Sequence, residues 1–78
     1  MYKVREWYDS GFKIYSCNNE VSLKETMKKY RNSHLDIYIN GKYILEVRTL
    51  LPKRLIDKLD FDYISKQKCP VLIEGTPV

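Results

Sequence analysis

The thirteen residues Leu35 to Val47, LDIYINGKYILEV, restrict this chain more than any other stretch. Two β-rich apolar runs flank Asn40-Gly41, the dipeptide that best tolerates the left-handed backbone of a tight hairpin turn. A two-residue turn pairs Ile39 with Lys42 and Tyr38 with Tyr43. The alternation argues for a different register, because it sets Leu35, Ile37, Ile39, Tyr43, Leu45 and Val47 on one parity. That set fits a three-residue Ile39-Asn40-Gly41 loop. The opposite face then holds Asp36, Tyr38, Ile44, Glu46 and Arg48.

A second hairpin is expected at the N-terminus, between Tyr2–Tyr8 and Phe12–Cys17. With a three-residue Asp9-Ser10-Gly11 loop, Tyr8 faces Phe12 and Glu6 faces Ile14. Tyr2, Val4, Tyr8, Phe12 and Ile14 then line the core side, and Lys3, Arg5, Trp7, Lys13, Tyr15 and Cys17 line the other. A two-residue Ser10-Gly11 turn instead sets Trp7 opposite Ile14 and draws the Trp inward. A one-residue slip exchanges every face, so both registers stay open here.

Between the hairpins, Ser22 and Glu25 have capping-box spacing at a helix start. Leu23, Met27 and Tyr30 follow as a buried stripe at i, i+4 and i+7. This helix is expected to end near Arg31, with Lys24, Lys28, Lys29 and Arg31 on its polar side. After the central hairpin, Pro52 opens a short helix over 53–59 that buries Leu55, Ile56 and Leu59. Residues 62–67 can add one further turn capped by Asp62. A last strand over 68–74 is confined by Pro70 to an edge or to a start at Val71, and residues 75–78 read as a frayed end.

The expected fold is therefore one α+β domain with a mostly antiparallel sheet and two helices, in the order β-β-α-β-β-α-β. Seventy-eight residues leave no room for a second core. The core is expected at Val4, Tyr8, Phe12, Ile14, Leu23, Met27, Tyr30, Leu35, Ile37, Leu45, Val47, Leu55, Ile56, Leu59 and residues 71–73. One sheet face is left uncovered, which calls for a polar surface or a partner.

Chemistry is sparsely encoded. His34 is the only histidine, and Cys17 and Cys69 have no CxxC partner. No metal site, catalytic pair or cofactor is expected from that spacing. His34 reads as a helix-terminus residue and the cysteines as small apolar fillers. Asp57 and Asp60 share a face only if the second helix continues, and beside Lys53 and Lys58 they read as ion-pair decoration. The three glycines are isolated, which excludes a phosphate-cradling loop. No charged-then-apolar leader and no membrane-spanning run is present, so a cytoplasmic protein with reduced thiols is expected.

What remains is surface. The net charge is +4, and seven tyrosines against two phenylalanines give much of the aromatic area a hydroxyl. Lys3, Arg5, Trp7, Lys13 and Tyr15 on one strand face would interleave cations with rings. Placed beside Lys24, Lys28, Lys29 and Arg31, they form a strip suited to DNA or RNA, with phosphate attraction from the cations and stacking from the rings. The expectation is a non-enzymatic, sequence-tolerant nucleic-acid-binding module. The alternative is a protein-interaction or inhibitory protein that uses the same face or an exposed sheet edge, with homodimerisation included.

Overall fold

A computed structural model describes residues 1–75. The elements run β1 (Tyr2–Tyr8), β2 (Gly11–Cys17), α1 (Glu20–Lys29), β3 (His34–Ile39), β4 (Lys42–Val47), α2 (Lys53–Asp57), α3 (Phe61–Ser65) and β5 (Val71–Ile73). One five-stranded sheet has the order β2-β1-β3-β4-β5. Every pairing is antiparallel except β4–β5, which is parallel because α2 and α3 carry the chain back to the starting end. The expected α+β class holds, with a third helix where one turn was in question. The frayed end expected at Thr76–Val78 lies outside the described residues.

The central hairpin has the two-residue turn at its tip, not the three-residue loop that the alternation favoured, and recovers part of the alternation through a bulge. Asn40 and Gly41 take φ of +51° and +81°, as a two-residue turn of this kind requires, and Ile39 pairs with Lys42 and Tyr38 with Tyr43. The register then shifts at Ile37/Tyr38, so that Ile37 meets Leu45 and Leu35 meets Val47. This bulge absorbs one extra residue of β4. Ile44 becomes fully buried, while Tyr43 moves to the other face and bonds to Asp36. The expected exchange of Tyr43 inward and Ile44 outward is thus reversed.

The N-terminal hairpin takes neither register expected for it. Its loop is Asp9-Ser10, with Tyr8 paired to Gly11, Trp7 to Phe12 and Val4 to Tyr15. Gly11 has φ +148°, a region that side chains avoid. The consequence is an exchange of faces along β2. Tyr15 and Cys17 point toward the helices, whereas Phe12 and Ile14 lie opposite Trp7 and Arg5 and stay 49% and 50% exposed. This register lets Tyr15 reach buried Glu6 and lets Cys17 fill space beneath α1, where it contacts Thr26.

Helix α1 starts earlier than the capping box suggested. Asn19, not Ser22, is the N-cap, and its side chain accepts from the Ser22 backbone N–H at 2.8 Å. Leu23 and Met27 are buried as the stripe required, with Tyr30 packed against them. Asp60, not Asp62, caps α3. Phe61 and Ile64 enter the core from α3, and Leu51 and Ile56 enter from the segment around α2. Tyr8, Phe12, Ile14, Leu55 and Leu72, all expected inside, are exposed. Strand β5 starts at Val71, directly after Pro70, and is an edge. Two lysines tie the helices down: Lys24 donates to the Asp57 carbonyl ending α2, and Lys42 to the Ser65 carbonyl ending α3.

Candidate nucleic-acid interface

The sheet divides the residues that the sequence suggested for one strip. Lys3, Arg5 and Trp7 lie on the uncovered face. Lys13 and Tyr15 lie on the helix side, opposite Glu6 and Val4 respectively. The Tyr15 ring stacks on Tyr30 with centroids 4.4 Å apart. Placing Lys13 and Tyr15 beside Trp7 is therefore corrected. The cause is the Asp9-Ser10 loop, which shifts β2 by one position.

The helix cations belong to the covered side as well, and their charges are engaged. Lys28 pairs with Glu25 and with Asp57, and Lys24 lies 3.7 Å from Glu20. Lys24 also sits over the Phe61 ring and Lys29 over Tyr30. Arg31 reaches the Leu51 carbonyl at 3.4 Å. The pairing with Asp57 and Glu25 holds the Lys28 ammonium above its usual pKa. Asp57 and Asp60 do not share a helix face, because α2 ends at Asp57 and Asp60 caps the next helix.

The uncovered face has a different composition. Arg5 sits among three rings, its guanidinium carbon 4.5 Å from the Phe12 centroid and 5.4 Å from those of Trp7 and Tyr38. Trp7 and Phe12 form a tilted pair at 5.2 Å, and Tyr38 and Tyr43 stack at 5.2 Å. Arg5 Nε is buried without a hydrogen-bond partner among the described residues. Exposed Lys3 stands beside it, and with Ile14, Tyr38 and Gly41 the two cations line a shallow depression. Phe12, Ile14 and Tyr38 were not part of the expected strip. The signal that could have found them is cross-strand pairing, which needs the correct register.

A polar cluster continues the same face across β3 and β4. Asp36, 7% exposed, accepts from Trp7 Nε1 at 2.7 Å and from the Tyr43 hydroxyl at 2.9 Å. Burial, then this carboxylate, raises the Tyr43 phenol above its usual pKa. His34 opens β3 rather than ending a helix, and its Nε2 lies 2.8 Å from Glu46 Oε2. The hydrogen bond from Arg48, helped by His34, outweighs desolvation and lowers the Glu46 carboxyl.

On the helix side, Glu6 is buried and accepts from Ser33 at 2.6 Å, Tyr8 at 2.6 Å and Tyr15 at 2.9 Å. Desolvation pushes this carboxyl up, but the three hydroxyl donors together prevail and hold it below its ordinary value. The bond to Glu6 raises the Tyr8 phenol, and the contact with Tyr8, then burial, raises that of Tyr15. All of Glu6's strong donors are internal, so the group reads as an anchor for the β1–β2 hairpin.

Cys17 is buried and Cys69 exposed, both as free thiols. Among the described residues, no helix is long and apolar enough to cross a membrane. No protein-family model matches the chain, and neither a curated protein nor a solved structure matches it significantly.

Proposed function

We propose that the protein is a non-enzymatic module that binds single-stranded nucleic acid, DNA or RNA, on the uncovered face of β2, β1 and β3. The observation that carries this reading is Arg5, a guanidinium held on aromatic faces with no anionic partner among the described residues. A cation fixed in that way has little to lose when a phosphate approaches. Half-exposed Phe12 offers a ring for a base, and Lys3 supplies a second charge. The contact set is thereby revised to Lys3, Arg5, Trp7, Phe12 and Tyr38. Lys13, Tyr15, Lys24, Lys28, Lys29 and Arg31 drop out of it, because they serve the covered side.

The test is fluorescence anisotropy with a labelled mixed-sequence single strand at about 50 mM salt, repeated at increasing salt. Lys3→Glu and Phe12→Ala are expected to weaken binding at least several-fold, and Lys3→Glu to flatten the salt dependence. Lys24→Glu with Lys28→Glu is expected to leave affinity within about twofold, provided the fold is retained. Salt-insensitive binding, or binding that only the helix variant disturbs, would remove this reading.

One observation favours the protein-interaction alternative. Strand β2 is a seven-residue edge without proline, and it displays Phe12 and Ile14 beside unpaired backbone groups. A partner strand, including β2 of a second copy, would add there. Sedimentation of wild type and Ile14→Lys distinguishes the two. A concentration-dependent dimer abolished by Ile14→Lys supports the edge, and a monomer at all concentrations removes self-pairing.

A further inference from the structure

We propose that His34, Asp36 and Glu46 form a binding site for one divalent transition-metal ion of zinc-like preference for nitrogen and oxygen. His34 and Asp36 stand two residues apart on β3 and so project from the same face, and Glu46 is the direct cross-strand partner of Asp36 on β4. Their candidate ligand atoms all lie within 4.8 Å of one another. The bulge at Ile37/Tyr38 sits between this pair and the turn, and it keeps Glu46 on the uncovered face.

The spacing of the ligand atoms matches what a metal demands. Bonds of about 2.0–2.2 Å to nitrogen and oxygen set neighbouring ligands roughly 2.8–3.6 Å apart in octahedral or tetrahedral geometry. His34 Nε2 stands 2.8 Å from Glu46 Oε2 and 3.5 Å from Asp36 Oδ1. Nε2 is inaccessible to solvent and faces both carboxylates, and its close contact with Glu46 is poorly aligned for a hydrogen bond. A nitrogen set between two carboxylate oxygens is a donor set that a divalent cation takes up.

The surroundings act as an outer shell. Trp7 and Tyr43 each donate to one oxygen of Asp36, holding a carboxylate that is nine-tenths buried. Arg48 does the same for Glu46 at 2.8 Å. Such outer donors orient ligands and tune affinity in metal sites. With three protein ligands on an uncovered face, the remaining coordination positions go to water. The chemistry suits zinc, nickel, copper or cobalt better than magnesium, because an imidazole is one of the donors.

Trp7 and His34 themselves supply the readouts. The chain has one tryptophan, whose ring centroid is 6.2 Å from that of His34, and one histidine, whose ring signals are unambiguous by NMR. Untagged, chelator-treated protein carrying Cys69→Ser, which removes the exposed thiol as a competing ligand, is titrated with Zn²⁺ by calorimetry and with Cu²⁺ by Trp7 emission. One saturable site with Kd below about 100 μM, a zinc-dependent shift of the His34 Nε2 resonance, and quenching by Cu²⁺ are expected. Affinity is expected to fall at least tenfold in His34→Gln and in Glu46→Gln, and less in Tyr43→Phe. An unmoved His34 resonance at millimolar Zn²⁺ overturns the proposal in the parent protein alone, whatever the variants do. Equal affinity in folded His34→Gln also overturns it.

Discussion

Trp7 Nε1 donates to Asp36 Oδ2 at 2.7 Å, linking β1 to β3 diagonally across the uncovered sheet face. The bond explains why this Trp is neither core nor free surface. Its ring packs between Phe12 and His34 while its polar edge is committed to a buried carboxylate. The two strands at the middle of the sheet are thus joined on the uncovered side by a charge-assisted bond, and on the helix side by apolar packing of Val4 against Ile37.

Replacing Trp7 with Phe should therefore cost more than its lost apolar area. Asp36 keeps Tyr43 as a donor but loses the indole, so a destabilisation of about 1.5–3 kcal/mol is expected. Urea unfolding with an unchanged m value checks it. A loss below about 0.5 kcal/mol would show that the bond contributes little.

Glu6 predicts an acid limb. Its folded pKa lies below the ordinary carboxylate value, so its stabilisation is complete above that value and is lost as pH falls through the folded pKa. Thermal melts of wild type between pH 7 and pH 3 should show a declining Tm across the carboxylate range. Glu6→Gln should lower Tm at pH 7 and shallow the decline. A parallel decline in the two proteins would assign the limb to other carboxylates.

Ile44 and Tyr43 make a matched pair for testing the bulge. Ile44 is fully buried and Tyr43 half-buried on the other face. Ile44→Ala is expected to cost about 2–5 kcal/mol, whereas Tyr43→Phe, which removes one hydrogen bond, costs about 1 kcal/mol. Chemical denaturation of both variants gives the comparison. Similar small losses would place Ile44 outside the core.

The two thiols should differ sharply in reactivity. Cys69 is exposed ahead of Pro70, and Cys17 is 3% exposed beneath α1. A disulfide reagent should label Cys69 within seconds to minutes and Cys17 only at the rate of opening. Mass spectrometry of the modified chain reads this directly. Rapid double labelling under native conditions would mean that the β2–α1 junction opens easily.

Local chemistry was sufficient for much of the architecture. Asn40-Gly41 specified its turn because few other dipeptides adopt two consecutive positive φ angles, and Leu23 and Met27 specified the buried side of α1 through a 3.6-residue period. Pro70 marked the start of β5 because it has no N–H to donate. The candidate interface was only half legible. Lys3, Arg5 and Trp7 share a face in any register because they alternate on one strand, but which β2 residues join them depends on the loop.

Single-strand periodicity cannot choose between partners one residue apart, since both choices preserve alternation. The tertiary structure made that choice through contacts distant in sequence: Glu6 needs Tyr15 and Ser33, and the space under α1 needs Cys17. The same holds for His34, Asp36 and Glu46. Their residue types are plain in the chain, but a bulge and a cross-strand pairing bring His34 and Glu46, twelve positions apart, to 2.8 Å. Sequence set the elements and one reliable face of β1; the packing of buried polar groups and the register it enforces decided which side chains meet.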